Sequence, residues 1–215
     1  MNTLNKILTY AVFPIIIILL AYFLATSIMQ PAKFNTEQLK REQVGIQQLK
    51  DIRTLQIAYK GVHSCYAPAV DSLIDFYKSG EMTIIKQIGS LDDSIAVANK
   101  LVKRETIKIP VRDTLFKGRN DFNIDNLRYV PFSDNLPVEI SAVVKVVSGV
   151  NVPLFQAQMP YGVHRGPEGD FDGLLRGMDR QLIINLNAER TDTERYPGLM
   201  VGSVENPNNN AGNWE

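Results

Sequence analysis

The sequence predicts an α+β protein: a transmembrane helix and a stalk helix at the N-terminal end, then a mainly antiparallel β domain. Three observations lead there. Ile7–Met29 contains no charged side chain, and at about 1.5 Å rise per residue a helix of that length spans the roughly 30 Å core of a bilayer. Downstream, apolar residues recur first at helical spacing and then in short runs bounded by Gly, Pro, Asn and Ser. Helices come first and strands after, unlike the βαβ alternation of a nucleotide-binding sheet.

The expected order starts with a short cytoplasmic tail, 1–6, and a transmembrane anchor, 7–29. The apolar run is longer than the core of a cleaved signal peptide, and Ala25-Thr26-Ser27 is a poor cleavage site, so an uncleaved signal anchor is expected. Pro14 falls in its first turns, where a bilayer helix absorbs the lost hydrogen bond. Ala21, Ala25 and Ser27 offer a weak small-residue face for helix contacts. Lys6 precedes the anchor, whereas Lys33, Lys40 and Arg41 follow it, interleaved with Glu37 and Glu42. The short basic tail running directly into the apolar core places the N-terminus in the cytoplasm, although a strict Lys/Arg count leans the other way.

Pro31 is expected to end or kink the membrane helix. Asn35 or Thr36 then caps a stalk helix within 30–62, which Gly61 stops. Its apolar positions, Leu39, Ile46, Leu49, Ile52, Leu55 and Ala58, form one face. Two readings of that face stay open: packing on the chain's own domain, or self-association near the membrane.

The soluble domain, 63–204, opens with a short amphipathic helix carrying Val70, Leu73, Ile74 and Tyr77, closed by Ser79-Gly80. Strands are expected over 82–88, 106–111, 127–132, 138–147 and 150–158, with Ser148-Gly149 as the hairpin turn between the last two. Ser90–Leu101 fits helix or loop, and 117–126 reads as a loop. Leu182–Leu186 and Leu199–Val204 are apolar runs of strand length. The polar tail, 205–215, is expected to have little regular structure. Its Trp214 either packs back on the domain as a latch or docks on a partner.

The 23 basic and 23 acidic side chains cancel, and without a basic patch no nucleic-acid partner is expected. Cys65 is the only cysteine, so packing and not an internal disulfide must hold the fold. The acidic run Glu168, Asp170, Asp172 and Asp179 imitates part of an EF-hand calcium loop. It begins on Glu and ends on Asp where the calcium loop has the reverse, so a solvated turn after Gly166-Pro167 accounts for it better. His63 and Cys65 form an H-x-C pair without a surrounding nucleophile motif. Asp92-Asp93 suits a helix N-terminus better than acid–base work, because adjacent side chains diverge. Neither a phosphate-binding glycine loop nor a hydrolase or zinc signature is present. No catalytic, cofactor-binding or metal residues are therefore assigned.

Several segments carry a resemblance when taken in order: the N-terminal anchor, Arg53-Thr54-Leu55-Gln56-Ile57-Ala58-Tyr59, Leu73-Ile74-Asp75-Phe76-Tyr77, Pro110-Val111-Arg112-Asp113-Thr114-Leu115-Phe116 and the terminal Ala211-Gly212-Asn213-Trp214-Glu215. They resemble uncharacterised single-pass envelope proteins of Bacteroidota. The resemblance implies a bacterial inner-membrane protein with a periplasmic domain, and brings no activity or site residues. More loosely, the layout is similar to pilins and pseudopilins, whose apolar N-terminal helix continues into an α+β head. The chain departs from them in lacking their processing signature and the glutamate at its start.

The expectation is a non-catalytic scaffold subunit of an envelope-spanning secretion, pilus-like or motility assembly, with the bilayer and other envelope proteins as partners. The alternative is a membrane-anchored sensory module with a pocket around His164, Arg165 and Asp170. A tethered hydrolase using the carboxylates over 168–179 ranks third.

Overall fold

The computed structural model describes residues 12–88, 103–165 and 170–215. The expected cytoplasmic tail, the first residues of the anchor, Ser90–Leu101 with Asp92-Asp93, and Glu168 lie outside them.

The dominant element is α1, a single 51-residue helix over Phe13–His63. Its first half is apolar on every side and buries nothing. The first buried side chain is Phe34, and from there one stripe turns inward through Gly45, Leu49, Ile52, Leu55 and Gln56, at the helical spacing of three and four residues.

The helix does not end at Pro31, one of the two outcomes expected there, but continues through it. A proline inside a helix removes one hydrogen bond and crowds the preceding turn, at about 3 kcal/mol. Here the helix is fixed after that defect, by docking on the domain from Phe34 onward. Thr36 does not cap a new helix. Its hydroxyl donates to the Ala32 carbonyl at 2.9 Å, inside the continuing ladder, as Thr26 does to Tyr22 and Phe23. Nor does Gly61 stop the helix, which runs on to His63 and closes on Ser64 in the left-handed conformation, φ 60°.

The chain then folds back along α1. The buried Gln56 side chain donates to the Ala67 carbonyl at 2.9 Å and accepts from the Ala67 N–H at 2.8 Å. This satisfies a buried amide and pins the connection into α2, Val70–Ser79. Val70, Leu73, Ile74 and Phe76 of α2 are buried. A two-stranded antiparallel ribbon follows, β1 (Glu81–Ile88) with β2 (Lys103–Pro110), in register from Glu81 opposite Pro110. One helical turn, α3 (Val111–Thr114), leaves it.

The strand expected over 127–132 is not one. A 3₁₀ turn covers Ile124–Arg128, and an isolated bridge then joins Tyr129 to Pro137. Pro131 and Pro137 cannot donate to a ladder, and Phe132 and Asn135 both have positive φ. Leu127 and Val130 still turn inward.

The central sheet has three antiparallel strands in the order β3–β4–β7, with β3 over Glu139–Val147, β4 over Val150–Pro160 and β7 over Gly198–Gly202. Ser148 and Gly149 link β3 to β4 with φ of 51° and 80°, the two positive values of a tight hairpin turn. Between β4 and β7 lie the short ribbon β5 (Val163–Arg165) with β6 (Asp170–Asp172) and the helix α4, Arg180–Asp192. Leu182–Leu186 therefore belongs to a helix. Asp179 nucleates it by accepting from the N–H groups of Gln181 and Leu182, as an N-cap does.

The core lies between α1, α2 and one face of the sheet. Leu49, Ile52 and Leu55 belong to the same buried cluster as Phe155, Ala157 and Met159 of β4 and Leu199 and Val201 of β7. Gly45 marks the closest approach: a Cβ there would fall 2.8 Å from a Leu199 methyl and 3.3 Å from a Leu174 methyl.

Candidate functional site

Because α1 turns its stripe inward, Leu49, Ile52 and Leu55 have no exposed surface, while Leu39 is exposed and Ile46 is half-buried. Of the two readings of that face, packing on the chain's own domain accounts for its three central residues, Leu49, Ile52 and Leu55.

The most developed polar constellation lies where α1 passes the segment after α3. A groove of about 350 Å³ is lined there by Gln43, Gln47, Asp51, Arg119, Asp121 and Phe122, among others. Asp51 lies on the inner side of α1 and is buried. Its carboxylate accepts from the Arg119 guanidinium at 2.6 Å and from the Gln47 side chain at 3.0 Å. Arg119 also reaches Asp121 at 3.1 Å. Its guanidinium lies over the rings of Phe116 and Phe122, which stack on each other at 3.9 Å. Hydrogen bonds to Asp121 and then Asp51 raise the Arg119 pKa above its ordinary value. The bond from Arg119 lowers that of Asp121. One guanidinium thus bridges two carboxylates, one on α1 and one on the segment after α3, and the arrangement clamps that segment to the helix.

A second polar contact fixes α1 to the strand end after β4. Tyr161 is fully buried, and its hydroxyl donates to Glu42 at 2.5 Å. Burial first, and then the adjacent carboxylate, push the phenol well above its ordinary pKa. Arg190 of α4 lies over its ring at 4.9 Å.

The acidic run is divided among separate tasks. Asp172 is buried; it accepts from the Asp134 N–H at 2.9 Å and pairs with Arg165 at 3.0 Å. Asp179 caps α4. The two are not brought together as oxygen ligands of a calcium loop. Among the described residues no group of three or more His, Cys, Asp or Glu side chains is placed to hold a metal ion. His63 lies between Tyr59 and Phe76, at 4.2 and 5.8 Å between ring centroids, and Cys65 is exposed. His164 packs on Phe171 at 4.4 Å.

The C-terminal segment is the latch. It runs beside β7: Val201 bridges Gly212, the Asn213 N–H donates to Met200 at 2.9 Å, and the Gly202 N–H donates to Ala211 at 3.0 Å. Trp214 packs against the core, so close to Gly212 that a Cβ there would fall 2.4 Å from the indole. Glu215 closes the latch on Arg53 of α1 at 2.8 Å, a contact that lowers its pKa.

Sequence reasoning missed the Asp51–Arg119 clamp. The available signal was Asp51 itself, a charge between the apolar positions Leu49 and Ile52. Its partner lies 68 residues away in a loop with no pattern.

The described residues contain one helix long and apolar enough to cross a membrane, α1. No protein-family model, curated protein or solved structure matches this chain.

Proposed function

We propose that the chain is a non-catalytic structural subunit of a bacterial envelope assembly of the secretion, pilus-like or motility kind. Its helix is anchored in the inner membrane and its α+β domain stands in the periplasm. The observation that carries this reading is the continuity of α1. The residues that would lie in the bilayer and those at the centre of the domain core are one uninterrupted helix. The domain is thus held as a rigid post, locked at Asp51, Glu42 and Arg53 by contacts to three distant parts of the chain. A rod of this kind sets the height and orientation of a domain above a membrane, which is what a scaffold requires. The envelope-protein resemblance points the same way.

The alternative, a sensory module, is expected to use a pocket around His164, Arg165 and Asp170, where His164 packs on Phe171 and Arg165 pairs with Asp172; the groove beside Arg119 is the better-formed candidate. Its convergent polar groups are the kind that orient a small ligand. They already satisfy one another, which disfavours it.

The test is mild detergent extraction of the tagged full-length protein from its own cells, with size-exclusion chromatography and mass spectrometry of what accompanies it. Co-elution with other envelope proteins in a large complex is expected. Elution without any other envelope protein would contradict the scaffold reading.

A further inference from the structure

The two edges of the central sheet differ. The outer edge of β7 is covered by the latch, through the Val201–Gly212 bridge and the bonds around it. Among the described residues, β3 pairs with β4 alone, so its other edge is open. Natural edge strands are blunted by proline, bulges or repeated charges. Strand β3 has none of these devices over its nine residues: its register with β4 is one-to-one throughout, and Lys145 is its only cation. Val144 and Val146 are 58% and 70% exposed.

The hairpin fixes which backbone groups this edge offers. A two-residue turn closes on a hydrogen-bonded pair, here Val147 and Val150, and such pairs alternate along the ladder. The odd-numbered residues of β3 therefore bond to β4, and Ile140, Ala142, Val144 and Val146 direct their N–H and C=O groups outward. Pro153 has no N–H and stands opposite Val144, at a position where none is needed.

We propose that this edge pairs with the same edge of a second copy, antiparallel, about a two-fold axis at Ala142. The sequence of β3 singles out that occupant and that register. With Ala142 opposite Ala142, Glu139 of each copy faces Lys145 of the other on the same side of the sheet. Ile140 meets Val144, and Ser141 meets Val143. The extended sheet then gains two cross-strand ion pairs and two aliphatic pairs. Moving the axis one residue, to Val143, sets Glu139 against Val147 and Lys145 against Ser141, and both charge pairs are lost. In the single copy Lys145 donates to the Glu205 carbonyl at 3.2 Å; its long, exposed side chain exchanges that bond for the partner's carboxylate when the edges pair. Ala142 keeps the axis clear of bulk. A notch of about 260 Å³ beside Ala142–Val144, walled by Cys65, Tyr66 and Pro68, gives side chains of the added strand room. The contact is isologous and closes at two copies. It requires neither the proposed function nor any partner protein.

The test is disulfide trapping in the full-length protein, in membranes and in mild detergent, on a Cys65→Ser background. Across a hydrogen-bonded antiparallel pair the Cα atoms are about 5.5 Å apart, within disulfide reach. Ala142→Cys should give a covalent dimer on mild oxidation, whereas Asp192→Cys on α4 should not. Ile140→Cys mixed with Val144→Cys should cross-link, while each alone should fail. Lys145→Glu or Glu139→Lys should reduce Ala142→Cys trapping at least fivefold, and the two together should restore it. Each variant counts as folded when its Trp214 emission matches that of the parent. Folded Ala142→Cys protein that stays monomeric, that traps equally well with either single charge reversal, or that cross-links to a protein of different mass would overturn the proposal.

Discussion

The two halves of α1 have the same backbone and opposite surroundings. From Phe13 to Lys33 the side chains are almost all exposed and nearly all apolar; from Phe34 to His63 polar residues dominate the surface, and a narrow apolar stripe disappears into the domain. The first half has no protein partner among the described residues, so tertiary packing does not hold it as a helix, and its length and apolarity are those of a membrane-crossing segment. The second half is a helix because it packs. One element thus answers to two driving forces, and Pro31 sits near their junction without breaking it.

The contrast implies a graded set of substitution effects on the folded domain. The largest belong to the packed half. Leu49→Ala or Ile52→Ala removes a fully buried side chain and should cost about 2–5 kcal/mol in denaturant unfolding of the domain. Asp51→Ala strips Arg119 of its buried partner and leaves Gln47 unpaired; about 1–3 kcal/mol is expected. Arg119→Lys, with Asp51 in place, should keep only part of the clamp's contribution, because an ammonium cannot reach both carboxylates while lying over the two rings. Leu20→Ala, in the apolar half, should change domain stability by less than about 0.5 kcal/mol. Leu20→Arg should instead impair membrane insertion, measured as the fraction resisting carbonate extraction.

The latch supplies a pH-dependent comparison. Glu215 has a folded pKa below its ordinary value of 4.5 because Arg53 donates to it. A depressed carboxylate contributes stability in full above its unfolded pKa and loses it as pH falls through the folded one. Trp214 emission should therefore be constant above about pH 5 and shift to the red only below the ordinary carboxylate range. Arg53→Ala should move that transition upward. An unchanged transition would detach Glu215 from the latch.

What the sequence made legible follows from locality. The β3–β4 hairpin was readable because valine-rich runs of strand length lie on both sides of Ser148-Gly149. The second helix was readable because Val70, Leu73, Ile74 and Tyr77 keep helical spacing up to Gly80. Leu182–Leu186 was misread because a five-residue apolar run fits either period; the deciding signal was Asp179, a cap just ahead of it, which had been assigned to the acidic run. The strand expected over 127–132 failed at Pro131. At Pro31, a local rule lost to the packing that holds the helix from Phe34 onward. The candidate site was the least legible part. Asp51 and Arg119, Glu42 and Tyr161, and Arg53 and Glu215 are joined only by the fold, and whether β3 is an edge is a property of topology that no window of β3 contains.

The central claim is that the apolar span and the domain core are one rigid helix. It is tested most directly by spin labels at exposed Leu24 and Lys50, with the full-length protein in a lipid bilayer. An unbroken helix places the two labelled backbone positions about 39 Å apart, and a single narrow distance distribution near that value is predicted. A broad distribution, or one centred well below it, would mean that the chain hinges at Pro31 and that the domain is tethered to the apolar span instead of held by it.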